Sequence, residues 1–260
     1  MTSRYYGQTD QDLMLDRALF RGLEGGTFFD IGANEGVTYS NTLMFEQARG
    51  WKGICVEADP LVFPALQKNR SCICVNAGVA PAAGKMPFLQ IEGPSQMLSG
   101  FLSNFDTRRM ERVDYSIARS GGTKRVVEVE AVTPAELLKR HNLGEVHYLN
   151  IDTEGNELDI LRSFDFGSVF VHAITVECNY DDELAKLLEV TKDHFDFAVR
   201  HIDDVFLVNR KSPFHANISA LKRASAQRKF VRRINRFRTN TPKKIARFVN
   251  KLTGRGNSAK

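Results

Sequence analysis

The sequence predicts an α/β fold built on a mostly parallel sheet with helices on both faces. Three observations predict it. Thr27-Phe28-Phe29-Asp30-Ile31 is a short, β-prone apolar run broken by one acid, and Gly32 and Gly36 follow it. Residues 37–46 then carry a pattern that can continue as a helix. Trp51–Glu57 reads as the next strand, again ending in an acid, and Phe195–Arg200 with Asp204–Asn209 reads as a closing antiparallel hairpin.

The first turn carries most of the information. Strand, glycine turn and helix bind a nucleotide-like ligand at the carboxyl edge of an open sheet. Gly32 lets backbone approach a ligand, and Asn34 tolerates a left-handed backbone. The spacing is D-x-G-x-N-x-G and not the G-x-G-x-x-G of dinucleotide enzymes, which seat a pyrophosphate on the backbone. An acid at Asp30 stands close to where an ammonium group can be held. That combination suits S-adenosylmethionine, which has a carboxylate, an ammonium and a ribose but no phosphate. Glu57, at the tip of the second strand, can accept from both ribose hydroxyls.

Down the chain, Thr9-x-x-Asp12 predicts a capping box opening a helix to about Phe20. A helix is expected after Ala58-Asp59-Pro60, to about Asn69. Cys72–Asn76 reads as a third strand, and the Asn76-Ala77-Gly78 that follows offers an amide for an adenine edge and space for its ring. Residues 80–131 are the least legible. Met86–Ile91 and Val126–Val132 read as strands; between them Arg108, Arg109, Arg112 and Arg119 fit either a lid over an acceptor site or a solvated helix face. Thr133-Pro134-Ala135-Glu136 has a cap, a first-turn proline and a capping-box acid in order.

Glu145–Asp152 reads as the fourth core strand, and Thr153-Glu154-Gly155-Asn156-Glu157 as a turn into a helix. Val171–Glu177 is the fifth, and Asp181–Asp193 a helix. Asp152, Glu154 and Glu177 therefore gather where a methyl group would meet its acceptor. A hydroxyl is a poor nucleophile until its proton is being removed, so Asp152 is the first candidate base and Glu154 the second. Two carboxylates two residues apart can also hold a divalent cation, but a bare D-x-E is no metal motif and no metal ligand is assigned. His147 and His172 fall at the far, amino ends of their strands and are discounted.

F-F-D-I-G-A-N-E-G, G-W-K-G-I-C-V-E-A-D-P and N-I-D-T-E-G-N-E together resemble the FkbM-type methyltransferases over about residues 5–208. The resemblance implies a class I, Rossmann-like methyltransferase sheet of seven strands, S-adenosylmethionine as donor, and O-methylation of a sugar or related hydroxyl. It also places Gln8 and Asp12 near the cofactor. Many members carry Lys where this chain has Asn150, so no lysine role carries over. The residues expected to bind the cofactor are Asp30, Gly32, Ala33, Asn34, Gly36, Ser40, Glu57, Ala58, Asn76, Ala77, Gly78 and Asp152. Those expected to be catalytic are Asp152, Glu154 and Glu177.

Charge divides the chain. Of 36 Lys/Arg, 16 lie at or after Arg210, leaving 20 against all 31 Asp/Glu. The division predicts a methyltransferase domain over 1–209 and a basic amphipathic helical tail over 210–260, suited to an anionic partner. Phe and Ile on the tail's apolar faces favour an anionic membrane surface over nucleic acid. Four cysteines without zinc spacing, a polar N-terminus and no long apolar run fit a cytoplasmic protein, peripheral to a membrane's inner face. Two alternatives are a nucleic-acid methyltransferase gripping phosphates with the tail, and a non-catalytic interaction protein of the same fold.

Overall fold

A computed structural model describes residues 4–233. The chain opens on α1 (Gln11–Met14), which widens into a π-helical turn at Leu15–Leu19. The expected Thr9/Asp12 capping box does not form. Asp10 precedes the helix at φ 68°, the Thr9 hydroxyl donates to Asp204 Oδ2, and Asp12 accepts from the Tyr6 N–H. Long-range partners outcompete the local cap.

Strand β1 (Thr27–Ile31) is followed by a loop, and α2 (Leu43–Arg49) starts six residues later than Val37. The reason is local. Glu35 takes the N–H groups of Val37 and Thr38, Tyr39 is left-handed at φ 60°, and the Thr42 hydroxyl donates to Asp30 Oδ2 at 2.6 Å. These bonds hold the segment as a turn and pin the helix start against the strand tip.

Strand β2 (Lys52–Glu57), α3 (Phe63–Asn69) and β3 (Ile73–Asn76) complete one half of the sheet. Next come β4 (Gly78–Val79), β5 (Gly84–Glu92), β6 (Gly100–Phe101), α4 (Thr107–Ser120) and β7 (Thr123–Val132). Then α5 (Pro134–Arg140) starts on the expected Thr133/Glu136 capping box. It leads to β8 (Glu145–Ile151), α6 (Glu157–Ser163), β9 (Phe170–Glu177), α7 (Asp181–Thr191), β10 (Phe195–His201) and β11 (Asp204–Asn209).

Seven strands form the main sheet in the order β10-β11-β9-β8-β1-β2-β3. All neighbours are parallel except β11, which runs antiparallel to both β9 and β10. Alternate side chains leave each strand on opposite faces. Phe29, Ile31, Ile54, Val56, Leu149 and Ile174 pack with Leu137, Ile160, Leu161 and Leu187 of α5, α6 and α7. Phe28, Cys55, Tyr148, Ala173 and Phe206 pack on the other face with Met14, Met44, Phe45 and Leu66. The continuous apolar character of these strands is explained by burial on both sides.

The poorly legible stretch is a second sheet, β4-β7-β5-β6, with β5 and β7 paired antiparallel along their length. Its arginines belong to α4, whose N-cap Asp106 accepts from the Arg109 N–H at 2.9 Å. Between β5 and α4 the chain forms two short 3-10 turns.

Residues 210–233, at the start of the stretch read as a tail, lie on the main domain. Ser212 bonds His172, His215 and Arg210 both pair with Asp196, and a helix runs from 218 to 233. Leu221 is fully buried in the second core, a burial that contributes roughly 1.5–3 kcal/mol. Ser225 bonds the ring of buried His201 at 2.9 Å. Arg228 makes two bonds to Asp10, at 2.6 and 2.9 Å. Residues 234–260, including the expected helix from Thr241, lie outside the described residues.

Candidate active site

A cavity of about 460 Å³ opens at the carboxyl ends of β1, β2, β8 and β9. Its wall includes Asp30, Gly32, Ala33, Asn34, Ser40, Glu57, Ala58, Ala77, Asp152, Glu154 and Glu177. These residues come from the tips of four different strands and the turns that follow them, far apart in sequence, and the strand order brings them together. Gln8 also borders the cavity, whereas Asp12 is buried among backbone N–H groups.

Three expected cofactor residues stand outside this wall. Gly36 is needed for a different neighbour, because a Cβ there would lie 2.7 Å from the Arg70 and Leu66 side chains. At Gly78 a Cβ would come within 2.2 Å of the Phe101 ring, so that space is filled by protein and not left for a ligand's ring. Asn76 is exposed, with its amide donating to the carbonyls of Glu57 and Ala58. Gly32 sits at φ 87°, and a Cβ there would be 1.7 Å from the Asp152 carbonyl oxygen. Its backbone is thereby clamped between the tips of β1 and β8, where the Asp152 N–H also donates to Ile31.

Asp30 is buried and its oxygens are already engaged. Oδ1 accepts from Asn150 at 2.9 Å, Oδ2 accepts from Thr42, and Arg70 stands 4.0 Å away. Burial pushes its carboxyl up, opposed by Arg70. Arg70 also bonds Glu46 and the hydroxyls of Ser40 and Thr42. Asp30 therefore organises the loop under the cavity, a different task from holding a ligand's ammonium with a free oxygen.

The polar atoms left over are elsewhere. Asn150 Oδ1 accepts from Thr175, Tyr148 and Asn41, which fixes Asn41 as the donor in that pair. Asn41 Oδ1 is then buried without a partner, and so is Asn34 Nδ2. Both residues line the cavity. A buried orphan acceptor and a buried orphan donor in one wall fit the ammonium and carboxylate of an amino-acid moiety. Asn34 is left-handed at φ 48°, and its N–H donates to Glu57 Oε2 at 2.8 Å. Glu57 Oε1 takes the Asp59 N–H, leaving one lone pair on each oxygen for a diol. Burial pushes the Glu57 carboxyl up to about 7.

Opposite stand the other acids. Glu157 Oε1 accepts from the Thr153 N–H, the Thr153 hydroxyl and the Gly155 N–H, all at 3.0 Å. That fixes the turn and holds Glu154 left-handed at φ 57°. Arg112 reaches from α4 to Glu154 Oε2 at 2.8 Å. Burial, then the like charge of Glu177, raises the Glu154 carboxyl to about 8, against the pull of Arg112. Asp152 and Glu177 are both held well above the carboxylate range, by burial and by neighbouring acids. Of the three, Glu154 can exchange a proton near neutral pH. Of the four arginines read as either a lid or a solvated face, Arg112 reaches the cavity. Sequence reasoning missed Asn41 and the role of Glu157; the short x-x spacing of Glu157 after Glu154 was the available signal.

At the opposite end of the sheet, Glu145, His147 and His172 gather within 4.8 Å. The two imidazoles are nearly parallel, 15° between planes, so their lone pairs do not converge on one ion. The pair lies far from the cavity, at the amino ends of β8 and β9 as expected.

A family model described as Methyltransferase FkbM domain matches residues 30–211. None of the curated proteins matches the chain. Among solved structures, a precorrin-6y C5,15-methyltransferase from Geobacter metallireducens GS-15 is similar, at 12% identity and a TM-score of 0.40 over 76% of this chain and 84% of that one. A methyltransferase FkbM from Methylobacillus flagellatus KT is similar at 12% identity and a TM-score of 0.43, over 74% of this chain and 47% of that one.

Proposed function

Because this chain belongs to the FkbM methyltransferase family, and so takes its methyl group from S-adenosylmethionine, we propose that it makes an O-methyl ether on a hydroxyl of a sugar or glycan. The observation that carries the reading is the convergence of Asp152, Glu154 and Glu177 on one cavity whose other side offers Glu57, Asn34 and Asn41.

The donor supplies an electrophilic methyl on a sulfonium. Glu57 is the residue for its ribose hydroxyls, Asn34 Nδ2 for its carboxylate and Asn41 Oδ1 for its ammonium. Glu154 is the base best matched to neutral pH: its carboxyl, near 8, can take the acceptor hydroxyl's proton as the bond to carbon forms. Asp152 and Glu177 orient that hydroxyl, and positioning supplies much of the rate. Arg112 favours the carboxylate form of Glu154 and returns it to readiness after proton loss to water. The far wall mixes Ser99, Ser116 and Met97 with Tyr115, a ring that is 68% exposed. Hydroxyls beside an aromatic face suit a carbohydrate, whose rings have polar edges and apolar faces.

The experiment is a screen of mono- and oligosaccharide acceptors with methyl-labelled S-adenosylmethionine. Label on a sugar oxygen supports the proposal. Label only on nitrogen or carbon of other acceptors overturns the O-methylation while leaving the family assignment intact.

A further inference from the structure

Residues 218–233 form a helix with two unlike sides. Leu221, Ser225, Arg228 and Arg232 face the domain: Leu221 and Ser225 are buried, Arg228 grips Asp10, and Arg232 donates to the Gln8 carbonyl at 2.7 Å. Phe230 follows Leu221 by nine positions, about two and a half turns, which puts it on the opposite pole. It is 64% exposed. Lys222, Arg223 and Arg233 are exposed on the same outer side, and Val231 is 43% exposed beside it. No acid occurs after Asp204 in the whole chain.

We propose that this outer face docks on an anionic lipid surface. An exposed cationic side accounts for attraction to any polyanion. The exposed Phe230 and Val231 at its centre decide between polyanions. Large apolar side chains gain nothing against a phosphate backbone, but they bury area at a headgroup and acyl boundary, while the surrounding Lys and Arg meet anionic headgroups. The inner side keeps the helix fixed, because its contacts to Asp10, Gln8 and His201 use none of the outer residues. Gln8 borders the cofactor cavity, so docking holds the cavity rim at a set position relative to the lipid.

The proposal is independent of the acceptor. Its test uses the full chain in co-sedimentation with vesicles of phosphatidylcholine alone and with about 30% phosphatidylglycerol, at low and physiological salt. Binding to the anionic vesicles alone, weakened at least tenfold in a Lys222→Gln/Arg223→Gln/Phe230→Ser variant, supports it. Retained S-adenosylhomocysteine binding by calorimetry shows that the variant is folded. A single Phe230→Ser substitution should weaken binding severalfold without changing its salt dependence. Unchanged vesicle binding in the triple variant overturns the proposal. Binding to duplex DNA or RNA with none to vesicles also overturns it.

Discussion

Asn150 and Asp30 face each other across the β8–β1 pairing, with Nδ2 donating to Oδ1 at 2.9 Å. Asn150 is thus the hub of a buried polar network, since its oxygen also serves Asn41, Thr175 and Tyr148. An Asn150→Ala change strands one acceptor and at least one donor in the interior. It should cost about 1–3 kcal/mol of folding stability. Thermal unfolding checks this, and an unchanged Tm would refute the network's structural role.

Asn34 and Asn41 each leave one buried polar atom unanswered in the cavity wall. Alanine at either should weaken S-adenosylhomocysteine binding by about 1.5 kcal/mol, roughly tenfold in Kd. Isothermal titration reads the effect directly. Wild-type affinity in both variants would remove these amides from the donor site.

Glu154 connects catalysis to pH. Its carboxyl must lose its proton before it can act as a base, so kcat should rise with pH through about 8. Glu154→Gln should lower kcat by about 10²–10⁴ while cofactor binding persists. Arg112→Ala removes the cation that favours the carboxylate, and the rising limb should move to higher pH. Stability runs the other way. The folded group holds its proton up to about 8, against an ordinary 4.5 in the unfolded chain. Its contribution is therefore complete below the lower value and is lost as pH climbs through the upper one. The Tm of the free enzyme should decline across that interval, and Glu154→Gln should flatten the decline. A pH-independent rate with a normal Glu154→Gln enzyme would rule out this base.

The parallel strands were legible because burial on both faces writes a nearly continuous apolar run, against which the acids at the strand tips stood out. The Thr133/Glu136 cap was legible for the same reason of local completeness. What failed was local inference against distant partners. Thr9 looked like a cap and instead bonds Asp204, far along the chain. Val37 looked like a helix start, but Thr42 bonds Asp30 and delays it. Gly78 was read as room for a ligand's ring, and Phe101 occupies that room. Within the second sheet the strands at residues 86–91 and 126–132 were legible, but their pairing was hidden, because α4 separates β5 from β7 and pairing between distant strands leaves no mark in the sequence.

The stretch carrying Phe88, Arg112, Tyr115 and Ser116 leaves and re-enters the fold at one place: Gly78 and Val79 lie beside Ala131 and Val132 as a parallel pair. Its two ends are neighbours, so the whole excursion behaves as a cassette clipped into a constant frame. Exchange of that cassette between homologous enzymes should transplant the choice of acceptor while the grip on the methyl donor, built by the frame, stays as it was.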